Sequence, residues 1–283
     1  MKGYILGMLA ETPVHPGAGQ VYSVIDLPVA REKTTGSPTI PGSGLKGALR
    51  EKWLEEKGEK GLEDLFGKQD HAGAFGVADA RLLLLPVRSL TGHYRWVTSP
   101  YLLKRFYRDM KMAGVLDKQN SFPLEIPEIN NGEMIAAGVY EKDKPIFLEE
   151  LTFKVREETD LIDRLVPYLK KLIRHPFLHK ELKNRLSIIN DDEFAYFARY
   201  GLPVNFRNEL ESGTKKSNNL WQEEVIPPDT LFYTMFVARF GNEEKLKEFT
   251  DYLKDSHYLQ VGGNETIGQG WIVTRVLGGG QNE

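Results

Sequence analysis

The chain has 283 residues, 41% hydrophobic and 11% aromatic, a balance that specifies a packed core and excludes a disordered polypeptide. Cysteine is absent, which excludes disulfide staples and thiolate metal sites, and no run of about eighteen apolar residues is present to span a bilayer. A formal net charge of −3 excludes nucleic-acid binding by bulk electrostatics alone, so any such contact has to be local.

Met1 to Pro13 lacks the apolar core of a secretory signal, which sets a cytoplasmic expectation. The same segment contains the first predicted strand, Tyr4 to Ala10, followed by a turn-rich loop with Pro13, Pro16, Gly17 and Gly19. The loop runs on to Pro41. Ser43 is placed to cap a helix over Gly44 to Lys57, with Leu45, Ala48, Leu49 and Trp53 on one face. Gly73 to Leu85 supplies a second strand region. A helix is predicted over Ser99 to Met112, and the rest of 91–148 reads as an insertion containing a Pro- and Asn-rich loop.

Glu133 to Tyr140 and Leu148 to Val155 read as strands, and Thr159 to Arg174 as a helix that Pro167 kinks. Asp191 to Arg199 forms a short helix. Val204 to Leu210 and Leu220 to Val225, separated by a polar stretch, predict a projecting hairpin over 204–225. Leu231 to Arg239 is a strand, Glu243 to Tyr258 a helix, and Trp271 to Val276 the closing strand. Both chain ends therefore give strands to a single domain over 1–283. Strands and helices alternate without a regular βα rhythm, so the fold class is α+β, of the ferredoxin-like (RRM-like) kind with insertions.

Two basic stretches are candidates for phosphate contact. Leu165 to Arg185 carries six Lys or Arg against one Glu, and Tyr101 to Lys111 holds Lys104, Arg105, Arg108 and Lys111 among aromatics. The first also fits a solvated helix face, because the acids of Glu157 to Arg174 lie in its first turns and the bases in its last, as the helix dipole favours.

Two glycine-rich segments bear more directly on function. Pro41-Gly42-Ser43-Gly44-Leu45-Lys46-Gly47 precedes a helix start, where unpaired N–H groups attract phosphate and Lys46 adds charge. It is not a Walker loop, because Gly47 stands where Ser or Thr has to follow the lysine. Gly262 to Gly270 lies before the last strand, where glycines permit unusual φ and close approach of another backbone. Either segment alone also fits a tight turn.

Together the two segments resemble signatures of the RAMP proteins of CRISPR systems. Val24 to Arg31 with Thr39 to Gly42, and Trp221 to Leu231, resemble the filament-forming backbone subunit of type III-B (Cmr) effector complexes. This resemblance implies a ferredoxin-like palm, a hairpin thumb near Val204 to Val225 that intrudes between bases, and copies stacked along a guide RNA. The implied partners are guide RNA, target single-stranded RNA, further copies of the chain and other Cmr subunits. Because guide pairing supplies specificity, local backbone contacts suffice, which suits a mildly acidic chain.

The resemblance also implies an endoribonuclease that cleaves the target strand with an aspartate at the position of Asp26. A lone carboxylate is a weak base at neutral pH, so Asp26 is expected to position the 2′-hydroxyl or to help hold a divalent metal ion, Mg or Mn, as cofactor. His15 is an acid–base candidate because imidazole titrates near neutrality. Glu224, or adjacent Glu223, is a third candidate, otherwise read as a solvated strand position. The RNA-binding set is Arg31, Gly42, Ser43, Gly44, Lys46, Gly47, Gly262, Gly263, Gly268 and Gly270. No metal cage motif is present in the sequence. Two alternatives stay open, a non-catalytic guide-binding backbone and an endoribonuclease that processes CRISPR repeat RNA.

Overall fold

In the computed structural model, residues 3–19, 24–116, 122, 125–138 and 144–278 are described. A mixed sheet dominates them. Its centre is four long strands in the order Trp271–Gly278, Gly3–Ala10, Leu231–Ala238 and Ala80–Ser89, each antiparallel to its neighbour. The opening strand is buried along its whole length, because both faces of the sheet are covered. Its alternate residues divide between two cores: Leu6 and Met8 join one, Ile5 and Leu9 the other.

The first core is roofed by the helices Gly42–Lys57 and Glu243–Asp255. Leu45, Leu49 and Trp53 of one meet Leu246, Phe249 and Leu253 of the other. On the opposite face, Pro100–Ala113 and Thr159–Lys170 contribute Leu103, Phe106, Leu161 and Leu165 to the second core. The amphipathic spacing of these residues explains why the helices lie flat on the sheet. No helix among the described residues is long and apolar enough to cross a membrane.

Several expectations are corrected. The first helix begins at Gly42 rather than Gly44, and Ser43 does not cap it. Asp79 does that work: its Oδ1 accepts the Gly42 N–H at 2.7 Å. The strand expected over Leu148 to Val155 is a hairpin, Ile146–Leu148 with Leu151–Glu157, turned at Glu149 in a positive-φ conformation. The helix expected to reach Arg174 stops at Lys170 despite carrying Pro167 inside it, and a separate helix Pro176–Arg185 follows, with its proline in the first turn. Glu133–Ala136 is a strand, whereas Val139 and Tyr140 lie outside the described residues. His93–Thr98, within the expected insertion, pairs with Ala80–Ser89 and extends the main sheet.

The hairpin is formed by Val204–Leu210 and Ser217–Glu224, its second arm starting three residues earlier than the sequence indicates. It makes a two-stranded sheet of its own. The register puts Val204, Phe206, Leu210 and Leu220 on one face, and all four are exposed.

Candidate RNA-processing site

The base of the hairpin is where most of the candidate residues meet. Asp26 is exposed on a loop laid alongside the arm Ser217–Glu224. Its Oδ2 accepts the Gln222 N–H at 2.8 Å. The backbone on either side is stitched the same way: Leu27 N–H donates to the Gln222 carbonyl at 3.0 Å, and Glu224 N–H to the Leu27 carbonyl at 3.0 Å. The Asp26 carboxylate is thus fixed through one oxygen, while the other has no partner among the described residues.

Glu224 is not a solvated strand residue. It is 2% exposed, its Oε1 accepts from Arg31 Nη2 at 2.6 Å, and its Oε2 accepts the Val29 N–H at 3.0 Å. A carboxylate buried this deeply requires such partners, and they tie down the segment three residues beyond Asp26. Arg31 is likewise engaged internally, donating through Nη1 to the carbonyls of Ala198 at 2.6 Å and Gly36 at 2.8 Å. The Arg31 guanidinium thereby ties the Asp26 loop to the helix Asp191–Tyr200.

Strand alternation sends Glu223 to the other side, where it is also 2% exposed. It accepts from Arg207 Nε at 2.8 Å and from the Asn264 side-chain amide. His15 is buried beside it. The His15 Nδ1–H donates to the Glu224 carbonyl at 2.7 Å, and Glu223 Oε1 lies 3.8 Å from the same nitrogen.

The second glycine-rich segment closes over this network. Gly263 N–H donates to the His15 carbonyl at 3.0 Å, and Gly270 N–H to the Pro13 carbonyl at 2.8 Å. Gly262 has φ +95°, and a Cβ there would stand 2.6 Å from the His15 oxygen. A backbone does approach these glycines, and it is the chain's own. Gly268, with φ +78°, faces open space instead.

Gly42, Ser43, Gly44, Lys46 and Gly47 stand apart, at the start of the first helix. The Asp79 carboxylate already occupies the first of the N–H groups that favour anions there. A Cβ at Gly44 or Gly47 would meet nothing within 4 Å, so their side of the helix is open. Lys46 lines a cavity with Lys68, His71 and Arg239. The structure thus unites His15, Asp26, Arg31, Glu224, Gly262 and Gly263, and leaves the first glycine-rich segment as a separate surface.

Sequence reasoning misses Arg207, Asn264 and Asp79. Arg207 sits across the hairpin diagonally from Glu223, a spacing that the predicted hairpin could have exposed. Nothing local marks Asp79, which is 37 residues from the helix it caps. No three His, Asp or Glu side chains among the described residues converge in a metal-binding cluster.

The model of the RAMP superfamily matches residues 8–273. The chain belongs to the RAMP superfamily. Among RAMP proteins, it is 36% identical over 286 residues to the CRISPR system Cmr endoribonuclease Cmr4 of Pyrococcus furiosus, covering 96% of this chain and 95% of that one. It is 25% identical over 305 residues to the CRISPR system CMR subunit Cmr4 of Saccharolobus solfataricus, covering 95% and 94%. Its structure is similar to the crystal structure of oligomeric Cmr4 from Pyrococcus furiosus, with a TM-score of 0.79 and 32% identity over 99% of this chain and 100% of that one. The fold is shared with a chain in the cryo-EM structure of the type III-B Cmr-beta complex bound to cognate target RNA, at TM-score 0.76 and 21% identity over 98% and 97%.

Proposed function

We propose that this chain is a repeating backbone subunit of a CRISPR RNA-guided complex, binding guide RNA and cutting complementary target RNA endonucleolytically. The near full-length relative named a Cmr endoribonuclease supports the activity, and the relative crystallised as an oligomer supports self-association. Its partners on this reading are guide RNA, single-stranded target RNA, further copies of itself and other Cmr subunits, in the cytoplasm. The observation that carries the chemistry is the exposed Asp26 carboxylate, held by the Gln222 amide at the foot of the hairpin, its other oxygen without a partner among the described residues.

We read the four central strands as a ferredoxin-like palm and the hairpin Val204–Glu224 as its thumb; the strand order, last–first–third–second along the chain, supports the first half of that reading. The exposed apolar face of Val204, Phe206, Leu210 and Leu220 supports that reading, because apolar side chains held out in solvent are suited to stack against bases. A thumb wedged between bases turns the adjacent nucleotide out of its helical geometry, and its base lies beside Asp26. There the carboxylate can orient the 2′-hydroxyl for in-line attack on phosphorus. Glu224, Arg31 and His15 act as positioning residues that fix the loop and hairpin relative to each other. Gly44, Lys46, Gly47 and Gly268, which border open surface, remain for the RNA backbone.

The fit to a divalent ion is partial: the Asp26 oxygen that has no partner among the described residues can serve as a single protein ligand, which suits an ion such as Mg that keeps waters and binds substrate phosphate. Such an ion supplies charge relief at the scissile phosphate when bound. In the assembled complex, Asp26→Asn lowers target cleavage by about two orders of magnitude or more, the scale of losing a positioned catalytic group. Guide binding, read by gel shift, is retained. Undiminished cleavage by the variant refutes the assignment of Asp26.

A further inference from the structure

The helix Pro100–Ala113 carries a surface that the reading above does not use. Lys104, Arg108 and Lys111 are exposed and recur at i, i+4 and i+7, so they share one face. Successive cations stand about 6 and 4.5 Å apart along the helix axis. None of the three has a hydrogen-bonding or ionic partner among the described residues. The fourth cation, Arg105, turns inward and grips Glu32 with both guanidinium nitrogens, at 2.6 and 2.7 Å. The acid of this helix, Asp109, is buried against Arg81 and Tyr233. The outer face therefore carries three cations and no acid of its own helix, with Met112 exposed beside them, in a chain of net charge −3.

Tyr101 heads the stripe on the same face, 42% exposed. It borders a cavity of about 220 Å³ walled by Leu102 and Phe194, with Thr35, Ser37 and Ser99 supplying hydroxyls and Asp191 a carboxylate whose Oδ1 accepts the Tyr101 N–H at 2.9 Å. That volume is smaller than the several hundred Å³ of an ordinary small-molecule pocket. The Asp26 loop leads directly here. Five residues beyond Asp26 it reaches Arg31, next Glu32 in the clamp to Arg105, and then Thr35 and Ser37 at the cavity.

We propose that this face is a second track for single-stranded RNA, continuous with the Asp26 loop, with phosphates on Lys104, Arg108 and Lys111 and one base against Tyr101. The proposal rests on the reading of the chain as an RNA-bound subunit. Unpaired cations in regular array beside an aromatic are what a single strand requires, whereas protein interfaces are depleted in lysine and built around an apolar centre. The RNA is the guide or the target strand, since both present the same phosphates.

The test is equilibrium binding of the full chain to labelled single-stranded RNA over a range of salt, repeated in the assembled complex with the guide or the target labelled in turn. The variants are the triple Lys104→Gln, Arg108→Gln, Lys111→Gln; Tyr101→Ala; and Lys46→Gln as a comparison at the first-helix surface. Losing three phosphate contacts reduces the slope of log affinity against log salt by about 2, at roughly 0.7 per contact on a single strand. Tyr101→Ala weakens binding about tenfold with the slope unchanged, the scale of one base stack. These side chains are exposed, so circular dichroism and the unfolding midpoint stay at wild-type values. An unchanged slope in the triple variant overturns the proposal, including when the same variant loses a protein partner. A wild-type chain without RNA affinity, alone and in the complex, overturns instead the reading on which the proposal rests.

Discussion

Replacing Glu224 with alanine tests whether the buried network at the hairpin base holds the Asp26 loop. The change leaves the Val29 N–H without its acceptor and removes the carboxylate at 2.6 Å from Arg31. Breaking a buried ion pair from one side costs about 3–5 kcal/mol, and an orphaned buried donor about 1–3 kcal/mol. Arg31 is 22% exposed in its side chain and keeps the carbonyls of Gly36 and Ala198, so its charge is not stranded. That places the pair at the low end of its range, and because the two losses overlap we expect about 3–4 kcal/mol in total. For a chain of this size the shift in midpoint is about 10 °C. Glu224→Gln keeps the shape and an acceptor for Val29, and costs about 1–2 kcal/mol, the difference between charged and neutral hydrogen bonds. Urea unfolding of both variants at constant m-value measures these directly, and a cycle with Arg31→Met isolates the coupling. If alanine costs less than about 1 kcal/mol, or no more than glutamine, the network does not anchor the loop and the argument fails. Under conditions where Glu224→Gln is fully folded, target cleavage still falls, because the Val29 segment that fixes Asp26 is held less firmly.

The glycines of the second rich segment separate by the same measurement. Gly262→Ala combines a positive-φ strain with a Cβ at 2.6 Å from the His15 oxygen, and destabilises by about 2–4 kcal/mol, whereas Gly268→Ala meets open space and costs only the strain, about 1 kcal/mol. Equal effects at the two positions would contradict the close packing of this segment on His15. The Glu32 carboxyl is pushed up by burial, but hydrogen bonds from Arg105 and Thr35 and the neighbouring charges outweigh this and hold it below its ordinary value. A carboxyl depressed in the folded state contributes stability that is present above its unfolded value near pH 4.3 and lost as pH falls through the folded value. Unfolding midpoints followed from neutral pH into acid therefore drop less steeply for Glu32→Gln than for wild type; parallel curves would show that the Arg105 clamp carries no linkage.

What the sequence disclosed follows from the range of each interaction. The opening strand, the strand Leu231–Ala238 and the helix Glu243–Asp255 carry their evidence within their own residues, as apolar runs or 3.6-residue spacing, and each stands where periodicity put it to within three residues. The cap of the first helix does not, because Ser43 satisfies the local rule while Asp79 arrives from another loop with a full charge. Glu224 is misread for the same reason. Two adjacent glutamates at the end of an exposed hairpin look solvated until loops some 195 and 209 residues away in sequence fold over them. The His175–Pro176 step does carry a local helix signal, a proline at the first turn, which argues against one long helix running through it.

These burials bear on how a chain of net charge −3 can hold RNA. Arg31, Arg81, Arg105 and Arg207 look available in a composition count, yet each is spent on a carboxylate within the fold: Glu224, Asp109, Glu32 and Glu223. Four acids disappear with them, so the pairing leaves the net charge unchanged while removing both signs from the surface. What decides affinity is the arrangement of cations left over, and on the helix Pro100–Ala113 three of them stand on one face without an acid among them. Phosphate contact scales with such local, desolvatable groups rather than with the sum over the chain. On the reading proposed above, the guanidinium groups nearest Asp26 frame the loop, and the lysine-bearing helix beyond it is the surface that meets the strand.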